Sequence, residues 1–92
     1  MIIDEILKFR NERSWKSGHT PSNLAKSISI EAAELLELFQ WSDTFDKGKL
    51  AEELADVLIY SFTLADTVGL DIEDIILSKL KKNAIKYPLK KD

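Results

Sequence analysis

At 92 residues, with a formal net charge of −3, 45% hydrophobic residues and no cysteine, the chain has the makeup of one globular domain over residues 1–92, which argues against a disordered segment and against disulfide or thiolate sites. No apolar run reaches the length of a membrane span, and the N-terminus lacks the basic-then-apolar order of a signal peptide, so a cytoplasmic protein without a membrane partner is expected. Six of the 13 Lys and Arg residues lie in Lys79 to Lys91 while the middle of the chain is acidic, a distribution that suits a small phosphorylated ligand held through metal better than duplex nucleic acid.

Met1 to Ser14 reads as a first helix, with Ile3, Ile6 and Leu7 at core spacing and Arg10 and Arg13 continuing the same side. Trp15 to Asn23 breaks that pattern, because Ser17, Gly18, Thr20 and Pro21 are loop formers; this loop carries Trp15 and His19. A second helix is predicted from near Ser22, which can cap it, to about Trp41. After the polar Ser42 to Gly48 segment, a third runs from about Lys47 to Val68, with Val57, Leu58, Ile59 and Phe62 pointing in different directions. Such a helix is central to a bundle or lies at a subunit contact. Gly69 is placed to end it and Asp71 to cap a fourth helix, about Ile72 to Lys86, closed by the Pro after Tyr87. There Lys79, Asn83 and Lys86 run along one side at spacings of four and three. The architecture is all-α, most simply a four-helix bundle with short connections. A chain this small buries only about two-thirds of its unfolded surface, so a second copy is a natural cover for the rest.

The second and third helices each carry a pair of acids three residues apart: Glu31 with Glu34, and Glu53 with Asp56. Residues three apart project from neighbouring points of one helical face, so each pair can aim two carboxylates at one spot. On the helical wheel Glu31 falls on the arc of Leu24, Ile28, Leu35, Leu38 and Phe39, with Glu34 at its edge; Glu53 sits beside Leu50, Val57, Tyr60 and Leu64, with Asp56 flanking. One E-x-x-E spacing usually means a solvated face, and Glu37 and Glu52 read as such. Two pairs on apolar arcs are different, since like charges repel and an unpaired carboxylate is costly to remove from water. A cation is expected among them. Carboxylate oxygens are hard ligands and the only histidine is distant in sequence, which favours Mg²⁺ or Mn²⁺ over zinc or a diiron centre.

These residues resemble the all-α nucleoside triphosphate pyrophosphohydrolases of the MazG type, whose metal signature Glu31, Glu34, Glu53 and Asp56 match position for position. The runs Leu38-Phe39-Gln40-Trp41, Asp56-Val57-Leu58-Ile59-Tyr60 and Lys86-Tyr87-Pro88 look most like the dCTP pyrophosphatase branch. The resemblance implies cleavage of a nucleoside triphosphate, dCTP or a related dNTP, to the monophosphate and pyrophosphate with Mg²⁺. It further implies Glu34 as proton acceptor, Lys79, Asn83, Lys86 and Tyr87 as phosphate and sugar contacts, and Trp15, His19 and Trp41 as nucleobase contacts. It implies a homo-oligomer, dimer or tetramer, in which neighbouring subunits complete each site.

Plainer readings stand beside these. Trp41 equally suits a core or subunit contact, and lysines at a helix C-terminus are favoured by the dipole, the preferred reading for Lys81, Lys82, Lys90 and Lys91. The acid pattern also resembles phosphoribosyl-ATP pyrophosphohydrolases and dimeric dUTPases, although the two tryptophans and the Lys-Tyr-Pro ending do not. Outside enzymes, the alternative is a helical oligomerisation or adaptor module whose acids pair with lysines across an interface.

Overall fold

The computed structural model describes residues 1–90. Their regular structure consists of α1 (Ile2–Glu12), one 3₁₀ turn (Lys16–Gly18), α2 (Pro21–Glu37), α3 (Lys47–Thr67) and α4 (Ile72–Lys86). The four-helix, all-α organisation expected from the sequence is the one found.

The ends of the helices follow from local chemistry. Thr20, not Ser22, caps α2: its Oγ1 accepts a hydrogen bond from Asn23 N–H at 3.1 Å. Pro21 then takes the first helical position, where its missing N–H costs nothing and its ring presets the backbone. At the other end α2 stops at Glu37 rather than Trp41. Leu38, Phe39 and Gln40 bond to carbonyls three residues back, which tightens the last turn, and Phe39 packs on Phe45 with ring centroids 5.3 Å apart. Asp46 and Asp71 cap α3 and α4 by accepting from Lys49 and Asp74 N–H, each at 3.0 Å.

The ends of α1 and α3 share one motif. Leu70 N–H bonds to Ala65 O and Gly69 N–H to Asp66 O, with Gly69 at φ 73°. At α1 the same pattern joins Trp15 N–H to Arg10 O and Ser14 N–H to Asn11 O, with Ser14 at φ 55°. This is the Schellman arrangement, in which the left-handed position normally falls to glycine. Ser14 accepts that strain, which ends α1 two residues earlier than expected and fixes where Trp15 leaves the helix. Ser14→Gly is therefore expected to raise stability by about 1 kcal/mol, measured by denaturant unfolding at fixed protein concentration; a loss would mean that the Ser14 side chain stabilises the turn.

The packed heart of the chain is the antiparallel α2–α3 pair, with α1 laid on α3. Leu24 from α2 is 1% exposed, and Thr63 and Ala65 from α3 are buried with it. Hydroxyls of Ser61, Thr63 and Thr67 each donate to the carbonyl four residues back at 2.7–2.8 Å, so these polar groups enter the apolar helix already satisfied. Helix α4 meets the rest chiefly through α3. Between its first turns, the start of α1 and the end of α3 lies an open apolar cavity of about 490 Å³, lined by Ile2, Ile3, Phe62, Ala65, Ile72 and Ile76 among others.

The single chain is loose for its length. Its radius of gyration is 16.2 Å, against about 12 Å for a self-contained domain of this size. It exposes 7627 Å², where about 5,400 Å² is usual. Leu54, Leu58 and Ile59 on α3 and Ile76, Leu80 and Ile85 on α4 are all exposed. No helix among the described residues is long and apolar enough to cross a membrane.

Candidate active site

Packing of α2 against α3 brings Glu31, Glu34 and Glu53 together, with one carboxylate oxygen from each lying within 4.8 Å of the others. Oxygens that share one Mg²⁺ at about 2.0–2.1 Å stand roughly 3–4 Å apart, so small side-chain rotations close the set. Glu31 and Glu53 are partly buried and Glu34 is exposed. Asp56 lies on the exposed side of α3 outside this trio, yet its charge is felt by both Glu31 and Glu53.

The electrostatics of the cluster are those of a site awaiting positive charge. Burial pushes the Glu31 carboxyl up to about 7, helped by a shared proton with Glu34 and by repulsion from Glu34, Asp56 and Glu53. Glu53 is raised as well, first by burial, then by the charge of Glu34 and a hydrogen bond with it, then by Asp56 and Glu52. Two carboxylates hydrogen-bond only while one keeps a proton. Glu31 Oε2 and Glu53 Oε2 are enclosed without a hydrogen-bond partner. Ion pairs among the described residues join Met1 to Asp4, Lys8 and Arg13 to Glu12, and Arg10 to Asp66; none reaches the four acids. Hard oxygen donors, orphaned and mutually repelling, fit a divalent cation such as Mg²⁺ or Mn²⁺.

A pH dependence follows. The folded pKa of Glu31 lies above its ordinary 4.5, so the metal-free fold holds a proton that the unfolded chain releases. That contribution is fully present below pH 4.5 and is lost as pH rises through about 7. His19 acts oppositely: its pKa is lowered by burial and by Arg10, so its contribution is lost as pH falls below 6.5. Above pH 6.5 the acids dominate, and the metal-free melting temperature is expected to fall between pH 6.5 and 8. A cation must displace the Glu31 proton, so Mg²⁺ should bind about tenfold more weakly at pH 6 than at pH 8. Calorimetric titration at both pH values checks this, and equal affinities would contradict it.

Beside the acids runs a chain of rings. Phe9 meets Trp15 edge-on at 5.6 Å, Trp15 lies 6.4 Å from His19, and His19 lies 6.5 Å from Tyr60. Tyr60 stands two turns beyond Glu53 on the same face of α3, so the rings and the acids share one side of the helix pair. The expected Trp15 and His19 are thus brought together. Tyr60 and Phe9, not among the expected site residues, complete the row; the seven-residue spacing of Tyr60 from Glu53 is the signal that could have found Tyr60.

The remaining candidates lie elsewhere. Trp41 is 89% exposed in the turn after α2. Lys79, Asn83, Lys86 and Tyr87 sit on or just beyond α4: Lys79 borders a shallow surface hollow made by α4 residues alone, Lys86 Nζ stands 5.4 Å from the Tyr87 ring, and Asn83 O accepts from Tyr87 N–H at 2.8 Å. None of them enters the acid cluster or the ring row. Lys81, Lys82 and Lys90 are exposed, as a solvated helix end predicts; Lys91 lies outside the described residues.

Residues 26–92 match the model of the MazG-like family. The chain belongs to the MazG-like family. Its fold is that of a pyrophosphatase from Archaeoglobus fulgidus, with a TM-score of 0.88 and 44% identity over 96% of this chain and 90% of that one. By sequence this MazG-like chain is 39% identical to dCTP pyrophosphatase 1 of Mus musculus, over 89% of the chain and 54% of the mouse protein. To dCTP pyrophosphatase 1 of Homo sapiens it is 38% identical, over 88% of the chain and 54% of the human protein. It therefore spans about half the length of these two relatives. Both of these relatives are dCTP pyrophosphatases, the branch that the sequence runs resemble.

Proposed function

We propose that this MazG-like chain hydrolyses a nucleoside triphosphate, dCTP or a related dNTP, to the monophosphate and pyrophosphate with Mg²⁺. The observation that carries this reading is the convergence of three carboxylates, two of which, Glu31 and Glu53, each enclose an oxygen with no hydrogen-bond partner. Similarity to dCTP pyrophosphatases and to an archaeal pyrophosphatase supports the substrate class. Glu31, Glu34, Glu53 and Asp56 are the residues that would hold the cation. When bound there, a divalent cation supplies charge to the phosphate oxygens and makes water more acidic.

Glu34, exposed between its two partly buried partners, accepts the proton of the attacking water. Trp15 and His19, backed by Tyr60, form the wall on which the base stacks. Stacking is tolerant of base identity, so the choice of base falls to hydrogen-bonding groups such as the His19 ring nitrogens. Trp41 supplies a second aromatic face. Lys79 and Lys86 act as point charges on phosphate oxygens, and Asn83 and Tyr87 as oriented hydrogen-bond groups.

Because α4 stands away from the acids within one chain, these last four residues and Trp41 serve a neighbouring subunit in a dimer or tetramer. An excess exposure of roughly 2,000 Å² is the scale that one protomer of an obligate assembly covers. Leu58→Glu, on the exposed apolar side of α3, is expected to give monomers by sedimentation and to lower activity at least about tenfold, since a charge at the centre of such a contact is poorly tolerated. An assembly of unchanged size would move the contact elsewhere.

The proposed reaction is tested by ³¹P NMR of dNTP mixtures with Mg²⁺. Equimolar products are expected, with the pyrophosphate resonance, which carries two phosphorus atoms, at twice the monophosphate intensity. Orthophosphate alone, or unchanged triphosphate, would contradict the reading.

A further inference from the structure

Residue 10 ties the ring row to α3 at two points. Its carbonyl accepts from Trp15 N–H at 3.1 Å and Arg13 N–H at 3.2 Å, fixing the point at which the chain leaves α1. Its side chain, only 8% exposed, runs the other way, with Nη1 3.8 Å from Asp66 Oδ2 on α3. Nε donates to Asn11 Oδ1 at 3.3 Å.

A buried guanidinium is costly, and a methionine or leucine would fill this corner with less desolvation. A charge kept in such a place calls for a role beyond filling space. The neighbouring group that feels it is His19, whose imidazole is disfavoured as a cation first by burial and then by Arg10. His19 Nδ1 is enclosed with no hydrogen-bond partner, and its ring bridges Trp15 and Tyr60. The charged and titratable groups around this corner are Arg10 and Arg13 from α1 and Asp66 and Tyr60 from α3. Arg13 is engaged over the Phe9 ring, 3.5 Å from its centroid.

We propose that Arg10, braced by Asp66, is a positioning residue for the nucleobase wall: it holds Trp15 and His19 at their spacing from Tyr60 and takes no part in binding phosphate. A neutral imidazole keeps one acceptor nitrogen as well as one donor, whereas a cation would only donate. Fixing the wall matters because hydrogen-bond readout tolerates little displacement. This inference rests on the nucleotide reading above.

The test compares two ligands of the full chain with Mg²⁺, an α,β-imido analogue of dCTP and inorganic tripolyphosphate, titrated calorimetrically into wild type, Arg10→Met, Arg10→Lys and Asp66→Asn. Arg10→Met is expected to weaken the analogue at least about tenfold while tripolyphosphate changes less than about twofold; Arg10→Lys should retain most of the analogue affinity. Without ligand, the single histidine resonance should titrate at higher pH in Arg10→Met than in wild type. Equal losses for both ligands would mean that Arg10 merely braces the fold, and an unchanged analogue affinity would remove its role altogether. Should Arg10→Met not fold, Asp66→Asn carries the same comparison. Wild type that binds neither ligand would overturn the nucleotide reading and this inference with it, whereas intact wild-type binding with no difference between ligands in the variants overturns this inference alone.

Discussion

Glu53→Gln is expected to lower kcat by on the order of 10³-fold or more while the metal-free protein melts at the same temperature or higher. The substitution removes a hard anionic ligand from the trio, and loss of charge stabilisation at a phosphoryl centre has effects of this order. It also removes a repulsive charge, since Glu53 faces Glu34, Asp56 and Glu52 and its pKa is already raised. Activity and stability thus move in opposite directions, which a core defect would not produce. Glu52, adjacent in sequence and exposed, is the control: Glu52→Gln should leave kcat within about twofold. Steady-state kinetics with melting curves in EDTA check both. A Glu53→Gln variant as active as wild type would remove the metal reading of the cluster.

The largest loss of stability is expected from Leu24→Ala. Leu24 is 1% exposed where α2 meets α3, and it lies seven residues before Glu31 on the same stripe of α2. Deleting so enclosed a side chain costs about 3 kcal/mol through lost transfer energy and the cavity left behind. For a chain of this length that lowers the melting temperature by more than about 10 °C, measured at fixed protein concentration. At low temperature, where the variant is folded, Mg²⁺ affinity should fall by far less than in Glu53→Gln. A melting temperature within about 2 °C of wild type would mean that other contacts set the position of α2.

How much of this was legible in the sequence depends on how local each signal is. The helical period placed Glu31 and Glu53 on apolar arcs, and those are the two acids found partly buried while Glu34 stays exposed. Gly69 and Asp71 announced their turn because a left-handed position and an N-cap have strong residue preferences. Ser14 announced nothing, since a serine in the left-handed region breaks that preference, and the first helix was accordingly drawn too long. At α2, Thr20 and Ser22 are both competent caps; Pro21 decides between them by occupying the first helical position. Arg10 was visible only as a continuation of an apolar side, because an ion pair with Asp66 joins elements more than 50 residues apart. The placing of Lys79, Asn83, Lys86 and Tyr87 was not legible for a different reason. Their spacing puts Lys79, Asn83 and Lys86 on one side of α4, but periodicity along one helix does not encode how sparsely that helix packs on the rest of its chain.

The central claim is that the converging carboxylates hold a divalent cation, and Mn²⁺ binding followed by electron paramagnetic resonance tests it most directly. At pH 8, where the Glu31 proton no longer competes, the signal of free Mn²⁺ should be quenched by wild type. It should be restored by excess Mg²⁺ and in the variant carrying Glu31→Gln with Glu53→Gln. Equal quenching by wild type and that variant, or none by either, would mean that the acids of α2 and α3 do not form a metal site.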